Sequence, residues 1–443
     1  MTQNSPAPPA RFGPAPGPGI ADRVARAAEI AFAAPLPIGL RVWDGSAAGP
    51  PDGPVLVLDS ARAIRHLVRR PGELALARAF VSGGLDVEGD LRQGLRLCLD
   101  FARRAHRAGL PAAAHWPLLL RLLAQLGAVG LVPGGSAQEA WSAGRDELVL
   151  PHHHDLSNEF HASILGPSMA HSCGLWTSED SGYGLADAQR DNLDLICRKL
   201  DLGPGSRLLD VGCGWGTLVL HAAEHYGVRA TGVTTSAEQH KFVLARIAER
   251  GLADLVEVRL QDYRSIAAEQ FDAVASIEMG EHVADQHYQL YCEALVTHLR
   301  PGGRLYLQQI ARGAAAPSGG AFIESYIAPD LTMRPVHRTL CHLEDAGLEI
   351  REVGSMREHY VRTIDAWSRA LRANWDEIVR RDGLPQARTW RLYLAGSALA
   401  FEENRMSVHQ ILAVRTDPEG GSGFPAAAGL EDAGGSVDAG RTA

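Results

Sequence analysis

The chain has 443 residues, 46% hydrophobic and 21% charged, with a formal net charge of -9 at pH 7. That length exceeds one ordinary domain and predicts two or three units. The acidic balance argues against a nucleic-acid partner, which needs a basic face to displace counterions, but it permits a local basic patch facing anionic lipid. The six cysteines (Cys98, Cys173, Cys197, Cys213, Cys292 and Cys341) form no CxxC pair or Cys/His cluster, which favours a reducing cytosol over a disulfide framework or zinc site.

Residues 1–19 are Pro/Ala/Gly-rich, lack an apolar signal-peptide core and are expected to be disordered. LPIGLRVWDG and GPVLVLDS alternate as two short strands around the turn-rich AAGPPDGP. ARAIRHLVRR, ELALARAFVSGG and LRQGLRLCLDFARRAHRAG carry helical spacing, which makes 20–110 a small α+β domain. Residues 111–165 read as a helical linker and lid. Their most apolar stretch, 112–132, contains His115, Pro117, Arg121 and Gln125. It suits a buried helix or one lying on a membrane surface better than a span. His152, His153 and His154 are consecutive and cannot easily converge on one ion, so no metal is expected.

From about residue 189 the strands RLLDVG, RATGVT, VEVRLQ, FDAVASIE and RLYLQQI alternate with helical segments. This predicts an α/β fold, a mainly parallel sheet covered by helices on both faces, in a domain spanning 166–415. After Arg312 come the loop GAAAPSGG, largely helical sequence to about Ser407, and a last strand HQILAVR. The tail 416–443 is Gly/Ala/Asp-rich and expected to be disordered.

LLDVGCGWG runs from a strand into a helix, and Gly212, Gly214 and Gly216 allow a tight turn and close approach of a ligand. A turn with no ligand would use the same glycines. The G-x-G-x-G spacing differs from the G-x-G-x-x-G that seats a pyrophosphate. Thr234 and Thr235 stand where a dinucleotide site would supply a ribose-binding acid. Both features suit S-adenosylmethionine, which has no phosphate. Asp262, in RLQDYR, is a candidate acceptor for its adenine amino group or else a solvated turn carboxylate.

HHDLSNEF, GPSMAHSCGLW, LLDVGCGWG, GVTTSAEQ, LQDY, EMGEHV and LRPGG, in that order, resemble the cyclopropane-fatty-acyl-phospholipid synthases, mycolic acid cyclopropane synthases and related fatty-acyl C-methyltransferases. The resemblance covers about 153–415 and implies a class I, Rossmann-like methyltransferase core. It places His171 and Ser172 at the cofactor's methionine end. Leu209, Asp210, Gly212, Cys213, Gly214, Trp215 and Gly216 form the glycine loop. Thr234, Thr235, Ser236, Glu238 and Gln239 meet ribose and adenine, and Asp262 and Tyr263 close over the base.

Cys173, Glu281, Ile310 and Tyr360 match a cup that holds bicarbonate in these synthases. Gln308 stands where the cup usually has histidine, and Ser397 replaces a cysteine sometimes counted as catalytic. The implied reaction is attack of a cis alkene on the sulfonium methyl, giving a carbocation that a base, bicarbonate, deprotonates to a cyclopropane or a methylene branch. Glu281 would orient that base. Phe322, Tyr326, Ile327, Trp367 and Leu371 are candidates for an acyl tunnel or for plain helical core. The expected partners are an unsaturated fatty-acyl phospholipid, a membrane surface and a second copy of the chain. The expected location is cytoplasmic and peripheral to the inner membrane face. Two other readings are a catalytically silent lipid-binding relative and an NAD-dependent oxidoreductase.

Overall fold

The computed structural model describes residues 19–69, 72–108, 121, 156–314, 316 and 320–424. Of the segments expected to be disordered, 1–19 and 416–443, residues 1–18 and 425–443 lie outside the described residues, as do the apolar stretch apart from Arg121, the histidine run and most of the expected 111–165 lid; residues 416–424 are described, with Asp417 accepting from the Glu419 and Gly421 amides. The chain divides into two units: Met1–Leu150 with Gly383–Gly396, and Pro151–Asp382 with Ser397–Ala443.

In the first unit, β1 (Gly39–Val42), β2 (Ala47–Ala48), β3 (Val55–Leu58) and β4 (Leu85–Glu88) form a sheet in the order β2-β1-β3-β4. β1 and β3 are parallel and the other pairs antiparallel. The helices Ile20–Phe32, Ala61–Arg69, Glu73–Val81 and Leu91–Ala108 accompany it. Ala21, Ala25, Leu40, Val42, Leu58, Phe80, Leu85 and Val87 make the core, with Leu392 and Ala395 packed against it. The expected 20–110 domain therefore gains a piece from the far end of the chain, and the expected 166–415 domain is interrupted. Arg388 explains the recruitment. Its buried guanidinium donates to the carbonyls of Phe80 (2.6 Å) and Leu85 (2.8 Å) and pairs with Asp86 at 2.9 Å. A buried arginine is tolerated only when paired and hydrogen-bonded in this way.

The second unit contains β5 (Arg207–Val211), β6 (Arg229–Thr234), β7 (Val256–Leu260), β8 (Phe271–Ile277), β9 (Leu299–Arg312), β10 (Glu349–Ser355) and β11 (Met406–Val414). Their order is β10-β11-β9-β8-β5-β6-β7. The β9-β8-β5-β6-β7 portion is parallel, while β11 runs antiparallel to both β9 and β10. Leu208 to Val211 are all buried, as expected of a strand covered on both faces. One core gathers Ile196, Leu218, Val219 and Val243 from helices on one side. A second gathers Tyr288, Tyr291, Leu295 and Leu343 on the other. This is the mainly parallel α/β fold that the alternating strands predict, and it agrees with the Rossmann-like methyltransferase core that the resemblance implies.

The exception to the predicted pattern is β10, which lies in sequence expected to be helical. It is an edge strand whose Glu349, Arg351 and Glu352 are only partly buried or exposed, and charge on an edge strand blunts further pairing. β5 has β6 on one side and β8 on the other, so the strand order reverses there. The ends of these strands open the crevice in which such sheets bind ligands.

Candidate active site

A cavity of about 560 Å³ occupies that crevice. Its walls include His171, Ser172, Asp210, Gly212, Cys213, Gly214 and Trp215, then Thr234, Thr235, Ser236, Glu238 and Gln239, and finally Asp262 and Tyr263. Leu209 and Gly216 do not reach it. Leu209 is fully buried in the second core. Gly216 sits at φ 75°, where a Cβ would lie 2.8 Å from Val243, so this glycine serves helix packing. Gly214 is the opposite case: at φ 53° its missing Cβ would meet nothing within 4 Å, which leaves backbone open toward the cavity.

The wall at 234–239 is fixed by its own hydrogen bonds. Ser236 caps helix Ala237–Arg250 by accepting from the Gln239 amide, and the Thr234 hydroxyl donates to Gln239 Oε1 at 2.8 Å. Asp262 lines the cavity, but its carboxylate accepts from the Arg264 amide and guanidinium at 2.6–2.8 Å. Those bonds hold its pKa below the usual carboxylate value. The turn-carboxylate role is therefore present alongside any ligand role.

In the glycine-loop wall Asp210 is 2% exposed and its Oδ1 has no hydrogen-bond partner. Burial pushes its pKa up to about 7. An orphaned carboxylate oxygen in a cavity wall is a ready acceptor for an ammonium. Asp210, the open backbone at Gly214 and the hydroxyl-rich 234–236 segment therefore fit S-adenosylmethionine, and its aminoacyl end would meet Asp210, His171 and Ser172.

Behind this wall lies a cluster centred on a residue that the sequence reading passed over. Glu278, at the end of β8, is the point where the cluster reaches the cavity; Cys173, Gln308, Tyr360, Glu281 and Ile310 are absent from its lining. The Glu278 carboxylate accepts from the Cys173 backbone amide (2.9 Å), Gln308 Nε2 (2.9 Å) and the Tyr360 hydroxyl (2.6 Å). Burial raises its pKa, while the Tyr360, Cys173 and Gln308 bonds work in the other direction. Its backbone sits at φ 51°, a left-handed conformation that costs a non-glycine residue roughly 1–2 kcal/mol.

Gln308 is oriented by a directed chain: its Oε1 accepts from Asn192 Nδ2 at 3.4 Å, Asn192 Oδ1 from Gln410 Nε2 at 3.1 Å, and Gln410 Oε1 from Lys199 Nζ at 3.1 Å. Each amide in this chain turns its donor side toward Glu278.

Glu281 does not join these donors. Its Oε1 accepts from the Ile310 amide at 2.5 Å and its Oε2 has no hydrogen-bond partner. Burial, then the neighbouring charge of Glu278, push its pKa up to about 8, so at neutral pH it is largely a neutral acid. Burial and Glu278 also raise the Cys173 thiol well above its ordinary pKa. Cys173 thus contributes its backbone amide and not a thiolate. The donors expected to hold bicarbonate are therefore occupied by a side chain, and an ion does not fit among them unless Glu278 is displaced.

Phe322, Ile327, Trp367 and Leu371 are buried, and neither they nor Tyr326 line the cavity. Met279, His282, Gln261 and Asp330 do line it, and the sequence reading had not selected them. Among the described residues no group of His, Cys, Asp and Glu could hold a metal.

The family model for mycolic acid cyclopropane synthetase matches residues 142–411, more than half of the chain. The protein belongs to this family. It shares 37% identity over 412 residues with a probable fatty acid methyltransferase of Mycobacterium tuberculosis, covering 88% of this chain and 93% of the relative. It shares 31% over 347 residues with the cyclopropane-fatty-acyl-phospholipid synthase of Escherichia coli, covering 78% and 84%. The crystal structure of the mycolic acid cyclopropane synthase CmaA1 complexed with SAH and CTAB superposes with a TM-score of 0.55 at 28% identity, covering 59% of this chain and 95% of that one. The mycolic acid cyclopropane synthetase family places the chain among S-adenosylmethionine-dependent methyltransferases.

Proposed function

We propose that this protein transfers the methyl carbon of S-adenosylmethionine to the double bond of an unsaturated fatty acyl chain in a phospholipid, and that the main product is a cyclopropane acyl chain. The observation that carries the reading is the continuity of the site. One cavity runs from a glycine loop with an unpartnered Asp210 Oδ1 to the half-buried Glu278, whose carboxylate is fixed by three donors. A methyl acceptor without a lone pair needs this layout, because a cation formed beside the donor must be stabilised and then deprotonated away from water. The relatives named for fatty acid methylation and cyclopropane-fatty-acyl-phospholipid synthesis support the substrate class. A methylene-branched chain is the second reading, supported by the similarity to a fatty acid methyltransferase.

No helix among the described residues is long and apolar enough to cross a membrane. The substrate is therefore proposed to be met at a bilayer surface, with the protein bound peripherally on the cytoplasmic side.

The test is incubation of the purified protein with S-adenosylmethionine carrying a labelled methyl group and vesicles of dioleoyl phosphatidylglycerol. Label is expected in the acyl chains, with S-adenosylhomocysteine formed in equal amount and upfield cyclopropane protons in the NMR spectrum. Downfield vinylidene protons would select the methylene reading, and no labelled lipid would overturn both.

A further inference from the structure

We infer that Glu278 is the general base of the transfer, built into the anion cup so that the reaction runs without bicarbonate. The inference rests on the proposed alkene methylation and assigns its proton acceptor. Three donors from three separate parts of the chain, the Cys173 amide, Gln308 Nε2 and the Tyr360 hydroxyl, converge on one carboxylate at 2.6–2.9 Å. Convergence of this kind is how a protein holds a small buried anion, and here the anion is a side chain. Glu278 is also the member of the cluster exposed to the cavity, beside Met279, His171 and Gly212.

The alternative acid is poorly placed for the role. Glu281 is absent from the cavity lining and has one oxygen tied to the Ile310 amide. A bicarbonate ion brought to Tyr360 and the Cys173 amide would have to expel the Glu278 carboxylate or sit against it, two like charges in a dry site. The left-handed backbone at Glu278 adds a separate argument: a glutamate is kept at φ 51°, where glycine would be relaxed, and strain of this kind is held where function needs the side chain.

The step balances. The alkene π pair forms the new C–C bond, the C–S bond breaks and its pair stays on sulfur, and the cation left on the adjacent carbon lies beside Glu278. The carboxylate then takes a proton from the transferred methyl, and the released C–H pair closes the ring. The second carboxylate stays neutral during this step: burial raises Glu281 and the Glu278 charge raises it further, so a single negative charge faces the cation.

The decisive experiment measures turnover of the wild-type protein on the same vesicles in buffer stripped of carbon dioxide and in buffer with millimolar bicarbonate, with Glu278→Gln assayed in parallel. Wild-type turnover should agree within about twofold between the two buffers, and Glu278→Gln should lose on the order of 100-fold while binding S-adenosylhomocysteine normally. Lipid methylation that collapses on stripping and returns with bicarbonate would overturn the base assignment and leave the methyltransferase reading standing. Full turnover in a Glu278→Gln protein that binds S-adenosylhomocysteine would overturn it too. No labelled lipid from wild type in either buffer would instead remove the function itself. If Glu278→Gln does not fold, the wild-type comparison decides alone.

Discussion

The two ends of the site are built on opposite principles. In the cavity wall polar groups are left unpaired: Asp210 Oδ1 on β5 and Gln261 Nε2 after β7 are buried without partners, and the backbone at Gly214 faces open space. Around Glu278 both carboxylate oxygens are occupied, and Gln308, which donates to it, is itself fixed by the chain through Asn192 and Gln410 to Lys199. The first end presents a buried acceptor and a buried donor to the cavity. At the second, the Glu278 carboxylate has both oxygens bonded, as a group that must not reorganise during the reaction should, while Glu281 Oε2 behind it stays unpartnered. Unpaired polar groups in the cavity wall suit a diffusible ligand, and a carboxylate bonded on both oxygens suits a group that the protein itself supplies.

The comparison breaks first at Gly214. Gly214→Val would place a branched side chain in the open space facing the cavity and should weaken S-adenosylhomocysteine binding on the order of 100-fold or more by calorimetry. Affinity within about threefold of wild type would remove the glycine loop from the ligand site.

Tyr360→Phe tests the saturated end. Losing one hydrogen bond to a charged, buried carboxylate should cost about 1.5–3 kcal/mol, or roughly 10–100-fold in turnover. S-adenosylhomocysteine affinity should not change, and a fall in affinity equal to the fall in turnover would mean that Tyr360 holds the fold of the cavity.

Glu281→Gln should be mild, within about threefold in turnover, because an amide replaces an acid that is already neutral. The sequence reading, with Glu281 orienting bicarbonate, expects a loss on the order of 100-fold or more, so the two accounts separate cleanly in one assay.

The smallest effect is on stability. Burial holds Glu281 up to about 8 and Asp210 up to about 7, whereas the unfolded chain releases these protons near pH 4. Between those limits the folded chain binds more protons than the unfolded one, so stability falls as pH rises through about 5 to 8. The midpoint of thermal unfolding should drop across that window, and Glu281→Gln should flatten the drop. An unchanged slope in the variant would place the proton uptake elsewhere.

Much of the fold was legible because buried parallel strands announce themselves. Leu208 and Leu209 on β5 and Ala273, Val274 and Ala275 on β8 are short apolar runs between turn signals. β10 was hidden because an edge strand with Glu349, Arg351 and Glu352 carries no such run. The transfer of Gly383–Gly396 to the first unit was also illegible, since it depends on Arg388 meeting the carbonyls of Phe80 and Leu85 some 300 positions away. In the site, the loop and the 234–239 segment are local in sequence, and apart from Leu209 and Gly216 the residues selected there line the cavity. Glu278 was in plain view three residues before Glu281. Its role depends on a backbone turned to φ 51° and on donors 30, 82 and 105 positions away, and no spacing rule contains those.

Two features are decisive: a donor site walled by Asp210 and the Gly214 backbone, and a base, Glu278, held by the chain's own donors. The most direct measurement is a crystal structure with S-adenosylhomocysteine, grown in bicarbonate. The account predicts the homocysteine ammonium at Asp210 and the Glu278 carboxylate still bonded to Tyr360, Gln308 and the Cys173 amide, with no ion between them. Density for a planar anion on Tyr360 and the Cys173 amide, with Glu278 turned away, would contradict it.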